Sequence, residues 1–365
     1  KGIVWRGVVN ASQRPEMQAA QNISQVFLGT NLKCASCHDS FINDWKLADS
    51  YALAAVFADG PLENHRFNQP TGEMATVGFI YQQLGKIDSA VAKPQRMRQL
   101  ADLVTGEKNG RLARTMVNRL WRIYFGEGLS RTLDDLGAQG AWPTHPELLD
   151  WLSLEFVDSG WDIKHVIKLM VMSDAYQRTS VCPEELRKVD PENRLIARQA
   201  SFRLPAVSNA LAISGLLSPK MYGPSVKPYQ PANYWYRLYK DGKYVPAKGE
   251  DQYRRGVYTY WRRSFWHPSL RAFDAPAREE CLAQRPRSNT PLQSLVLLND
   301  PTYVEAARAL ATKMLQEVDG DDARIATAFQ RAVGRAPDDE ERSILASHLE
   351  AKRARYADDE AAAKA

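Results

Sequence analysis

Cysteine and histidine are scarce in this chain, four and six among 365 residues. So few cysteines exclude a disulfide framework as the source of stability, and a chain of this length needs none. Cys182 and Cys281 stand alone, and no two histidines are spaced as H-x3-5-H, so the second half of a tetrahedral zinc site is missing. There is no H-E-x-x-H, no glycine-rich phosphate loop and no nucleophile elbow, which leaves the common hydrolase and nucleotide-binding classes without their machinery. No apolar run approaches the length of a membrane span. Charge is not one-sided either. Lys and Arg number 48 against 43 Asp and Glu, so the net +5 is mild, and no nucleic-acid partner is expected. No internal repeat is apparent. At about 150 residues per domain the length suits two domains.

What the sequence does hold is Cys34-Ala35-Ser36-Cys37-His38. This is the C-x-x-C-H pattern of covalent c-type haem attachment. Two thiols at this spacing can add across the two vinyl groups of one porphyrin, and the histidine that follows is placed to bind the iron from one face. Two plainer readings of the cysteine pair exist. A zinc site would need further ligands, and a thioredoxin-like redox pair would need a strand and a βαβ context before it. The run before Cys34, Met17 to Leu28, reads instead as helix. Covalent haem attachment takes place outside the cytoplasm, so the motif implies a periplasmic or extracellular protein. No signal peptide is visible at Lys1 to Arg6. The chain is therefore expected to be a processed or partial piece of a longer exported protein. In that compartment Cys182 and Cys281 can pair or stay free.

The periodicity predicts a mainly α fold. Helices are expected over Met17 to Leu28, from Asp44 as cap through Phe57, and over Met97 to Leu103. Others are expected over Leu112 to Phe125, Pro146 to Phe156, Ile163 to Met172, and Val207 to Leu217 with a glycine inside. Four more follow: Pro291 to Leu298, Tyr303 to Met314, Asp322 to Ala332 and Asp338 to Lys352. Acidic residues at the start of the last favour its dipole. Residues 58–95 read as mostly loop, and a boundary is placed there: 1–95 as a haem-bearing domain, 96–365 as a helical carboxyl-terminal domain. Within the latter, 218–290 reads as a loop-rich, aromatic insertion with a short strand at Val257 to Trp261.

Several phrases go beyond periodicity. They are Gln25-Val26-Phe27-Leu28-Gly29, Cys34 to Asp39, Asp44-Trp45, Val117-Asn118-Arg119-Leu120-Trp121, and His145 to Leu152. Later come Ser173-Asp174-Ala175-Tyr176-Gln177, Asp190 to Arg194, Phe273-Asp274-Ala275-Pro276, Asn289 to Gln293 and Leu298 to Pro301. In this order, over nearly the whole chain, the sequence resembles the planctomycete-type cytochrome c domain proteins. These join a C-x-x-C-H-D domain to a carboxyl-terminal domain of unassigned function. The resemblance implies one covalent haem c and this two-part layout, and it leaves the reaction open. Many members carry a second histidine two residues after the haem histidine. Here Ser40 stands there, so no role of that histidine transfers.

On this reading Cys34 and Cys37 hold the haem and His38 is the proximal iron ligand. Met74, in a glycine-containing loop, is the leading candidate for the sixth ligand, ahead of His65. A thioether would raise the potential relative to a second imidazole. Asp39 is expected to fix local backbone geometry, and Trp45 to pack on the porphyrin edge. His145 and His165 read as structural, and Arg119 as a partner of Asp134 or Asp135. Residues 222–267 hold 13 of the 35 aromatics, interleaved with Arg254, Arg255, Arg262 and Arg263. Stacking faces with charged neighbours suit a sugar or a protein partner, whereas internal packing of an irregular segment is the plainer reading. The function expected is one-electron transfer with an unknown redox partner protein or carbohydrate. The alternatives are a haem-dependent oxidoreductase acting on polysaccharide or peroxide, and a binding or structural protein stapled by haem.

Overall fold

A computed structural model describes residues 14–137, 140–201, 206–232, 234, 244–262, 266–276 and 282–358. The chain is mainly α, as the periodicity predicts. It forms two compact units: Lys1–Phe202 with Pro276–Arg285, and Arg203–Ala275 with Pro286–Ala365.

In the first unit, α1 (Pro15–Phe27) starts with proline at its first position, where the missing N–H costs nothing. Its Met17, Ala20 and Ile23 face α2 (Leu47–Ala55), and with Leu28, Leu32, Leu53, Val56, Phe79 and Leu100 they make one apolar core. The expected Asp44 cap does not form. Lys46 is the capping residue, Asp49 accepts from its amide, and Asp39 accepts from Leu47 N at 2.9 Å. Residues 58–95 are less irregular than expected. They contain an antiparallel hairpin of β1 (Glu63–Arg66) and β2 (Gln69–Met74), with Glu63 opposite Met74 and Arg66 opposite Gln69. Then α3 (Lys93–Thr105) leads to α4 (Gly110–Phe125), which Asn109 caps and Gly126, at φ +83, ends. With α5 (Pro146–Asp158) and α6 (Ile163–Met172), α4 builds a second core of Val117, Trp121, Phe125, Leu149, Phe156, Val166 and Met170. Trp121 and Phe125, four residues apart, stack at 3.8 Å. The short helices α7 (Asp174–Gln177) and α8 (Glu184–Val189) close the unit.

The two cores do not separate at residue 95. Arg119 on α4 donates to Val26 O at 2.6 Å and Gln25 O at 2.8 Å, two carbonyls that the end of α1 leaves without helical partners. A cation there also suits the helix dipole. Gln25 Nε2 donates to Asp134 Oδ2, and Leu136 N donates to Gly29 O at 2.7 Å. Gly29 permits this approach. Its φ is +56, and a Cβ there would stand 2.8 Å from Thr115 Oγ1. The physical unit thus runs on to residue 202, because 96–136 supplies the partners of α1.

In the second unit α9 (Ala206–Ser214) stops where Gly215 turns at φ +80, so that glycine ends the helix rather than lying inside it. Val257 to Trp261 is not a strand. Gly256–Tyr258 is a 3-10 turn, and Val226 pairs with Thr259 as an isolated bridge. Buried Arg254 organises this irregular region, donating to Lys220 O, Tyr222 O and Pro224 O and stacking over Tyr258 at 3.9 Å. Then come α10 (Pro268–Ala272), α11 (Pro291–Asn299), α12 (Pro301–Glu317), α13 (Asp321–Val333) and α14 (Asp339–Tyr356). Asp338 and Glu341 form a capping box at the start of α14, and the Arg335 guanidinium pulls Glu341 down to about 2.

Candidate haem-attachment site

Cys34–Ser36 is a single 3-10 turn that follows the reversal at Gly29. Ser36 N donates to Leu32 O, and both Cys37 N and His38 N donate to Cys34 O, so both thiols and the imidazole leave one tight coil. Cys34 is exposed, Cys37 is half-buried, and both are free thiols. Ser36 Oγ accepts from Gln21 of α1 and donates to Lys33 O, which locks the coil to the first core. Ser40 is a turn-former here: Ile42 N and Asn43 N donate to its hydroxyl, and its own amide donates to Trp45 O.

His38 is oriented from two sides. Its Nδ1 lies 2.6 Å from Asp39 O. A carbonyl only accepts, so Nδ1 donates, and in the neutral ring the lone pair sits on Nε2. The imidazole stacks on Phe41 at 4.7 Å and lies 5.5 Å from Phe67. Phe67 sits at the hairpin tip with φ +54, a strained conformation for a large side chain, and its amide donates to Cys37 O at 2.8 Å. Phe41 is 84% exposed, and Ile42 and Phe67 are exposed as well. Exposed phenyl rings of Phe41 and Phe67 therefore flank His38.

Neither candidate sixth ligand is presented to His38. Met74 is 62% exposed and lies at the opposite end of β2 from the tip that touches the motif. At about 3.3 Å per residue it is roughly 16 Å along the strand from Gln69. His65 lies opposite Pro70, beside the hairpin tip, but Arg14 donates to its Nε2 at 2.7 Å. Burial pushes the Tyr51 hydroxyl up. Trp45 lies edge-on to Tyr81 at 5.5 Å and packs on the first core. Asp39 does fix local geometry, tying His38 and the start of α2 together. His145 shares a hydrogen bond with Thr144, and His165 pairs with Glu155 at 2.7 Å. Both are structural contacts. Arg119 engages the carbonyls described above, and Gln25 engages Asp134.

Among the described residues no three His, Cys, Asp or Glu side chains gather as a site for a bare metal ion. Cys182 has a free thiol, and Cys281 lies outside the described residues. Of the 222–267 aromatics, Trp235, Tyr236 and Tyr239 also lie outside them. Tyr234 and Trp266 are half-buried, and Tyr234 OH reaches Trp266 O at 3.4 Å. No helix among the described residues is long and apolar enough to cross a membrane.

An amino-terminal motif segment tied by hydrogen bonds to the first helices of a longer helical segment defines a paired-domain protein. Two family models match accordingly. PSD1, a protein of unknown function (DUF1553), matches residues 96–349, and PSCyt2, a protein of unknown function (DUF1549), matches residues 7–61. The chain belongs to the PSD1 (DUF1553) family, in the planctomycete-type pairing with an amino-terminal DUF1549 segment. No curated protein and no solved structure matches it.

Proposed function

We propose that the chain is an exported monohaem c-type cytochrome protein that passes single electrons to a partner. One observation carries the reading. The turn at Cys34–His38 offers two free thiols and an imidazole whose Nδ1 is engaged by Asp39 O, leaving Nε2 as the free ring nitrogen, beside the exposed phenyl rings of Phe41 and Phe67. A tetrahedral ion would need its ligands to converge. A macrocycle instead needs two thiols apart, one nitrogen between them and apolar surface at its edges. The residues present fit that group.

In attachment each thiol adds across one vinyl group, sulfur to one carbon and hydrogen to the other, so no oxidant is consumed. The bound haem would supply a one-electron iron couple. The chain's part is to hold His38 by Asp39 O, Phe41 and Phe67, and to keep water from the covered face. Mass measurement under denaturing conditions, on protein matured in an exporting host that attaches haem, tests the proposal. One haem added to the chain, lost in Cys34→Ser/Cys37→Ser, is expected. An unmodified mass overturns it. Carbon monoxide added to the reduced protein then separates electron transfer, with an unchanged spectrum, from an enzyme with an open sixth site.

A further inference from the structure

The structure assigns a second site, independent of the haem reading: a cleft between the start of α4, the loop 140–143 and the start of α5 that binds a sugar ring bearing one carboxylate. The cavity holds about 330 Å³. That is the lower end of small-molecule sites and suits a single ring.

Three side chains, Arg111, Asp150 and Trp142, give the cleft its chemistry. Arg111 and Arg114, three residues apart, share one face of α4. The Arg111 guanidinium is stacked over Tyr81 at 4.2 Å, and the Asp135 carboxylate feels its charge without a direct ion pair among the described residues. It is a cation held in place, with its planar donor edge left for an anion. Arg114 is already matched, since its Nε donates to Asp150 Oδ1 at 2.6 Å. Asp150 lines the cleft and spends one oxygen on Arg114, so its remaining acceptor capacity calls for hydroxyl donors on the ligand. Trp142 stands at the rim, 81% exposed, an unusual position for so large an apolar surface. Its ring is the face on which the C–H side of a sugar stacks.

The loop carrying Trp142 is pinned on both sides. Buried Ser130 Oγ donates to Ala141 O at 2.8 Å, Ala141 N donates to Thr132 Oγ1, and Thr144 N donates to Leu129 O. Asn118 holds Ser130 in turn, accepting from its amide and donating to its carbonyl. So the indole is presented by a preorganised loop, which lowers the ordering cost of binding. The three groups also discriminate. A neutral sugar leaves Arg111 without its anion, and an aromatic acid leaves Asp150 without donors.

Titration calorimetry and saturation-transfer NMR on the full chain, with D-galacturonate, D-glucuronate, D-galactose and benzoate as probes, test this. At least one uronate is expected to bind at least tenfold more tightly than galactose and benzoate. Trp142→Ala, at an exposed position that leaves the fold intact, and Arg111→Gln should each weaken it tenfold or more, with Arg111→Lys recovering part of the loss. The proposal is overturned if neither uronate binds, if galactose or benzoate binds as well, or if the Trp142 variant binds undiminished.

Discussion

Arg119→Ala should unfold the first unit at a much lower temperature. The guanidinium makes two good hydrogen bonds, 2.6 and 2.8 Å, to Val26 O and Gln25 O; the third, to Leu133 O at 3.4 Å, is too long to count for much. A bond from a charged donor contributes about 1.5–3 kcal/mol, and the two are not fully additive, so a loss of about 3–4 kcal/mol is expected. The carbonyls sit at the end of α1, where no helical amide can replace the lost donor. In a unit of this size each kcal/mol moves Tm by about 2–4 °C, which gives a drop of about 10 °C. Scanning calorimetry reads it directly. Arg119→Lys should recover roughly half, because an ammonium serves one carbonyl well and lacks the fork that spans two. A drop below about 2 °C for the alanine variant would refute the view that this tie joins the two cores.

Gly29→Ala should cost about 3 kcal/mol, from the unfavourable φ of +56 and from crowding against Thr115 Oγ1 and Leu136 Cγ, at 2.8 and 3.1 Å. Thr115→Ala in the same chain should return part of it, and a fully additive pair in denaturant melts would contradict the packing argument. Burial lowers the pKa of His267 below its usual 6.5, while its Nε2 donates to Tyr229 O. The unfolded chain therefore binds the proton more readily, so the second unit should lose stability as pH falls below about 6.5 and regain it above. His267→Gln should flatten that slope in urea midpoints taken between about pH 7.5 and 5, and an unchanged slope would assign it to other groups.

Where local spacing alone decides an element, the sequence is a faithful guide. Ile163 to Met172 has both its apolar period and Asp162 before it, and Asp162 accepts from Lys164 N and His165 N as a cap should. Gly126 ends α4 for an equally local reason. The start of α2 was not legible, because Asp39 reaches Leu47 N from eight positions away. The hairpin was hidden for a related reason. Glu63–Arg66 and Gln69–Met74 have no apolar alternation and include Pro70, and Phe67 at the tip is not a usual turn residue. It is held by tertiary bonds, from Phe67 N to Cys37 O and from Tyr51 OH to His65 O. Val257 to Trp261 misled in the other direction, since β-forming residues there serve a turn set by Arg254. Of the candidate site, the motif was plain in the sequence. The tautomer of His38 and the aromatic ring around it needed coordinates.

The ties among Gln25, Gly29, Arg119, Asp134 and Leu136 also bear on how such a protein can evolve. The segment matched by DUF1549 and the first part of the segment matched by DUF1553 are joined by direct bonds within the first unit. Recombination that exchanged one segment alone would bring a foreign helix end to Arg119 and a foreign side chain against Gly29. Each segment is thus part of the other's selective environment. Substitutions at these positions should be accepted in matched sets, and the pair should be inherited as one piece.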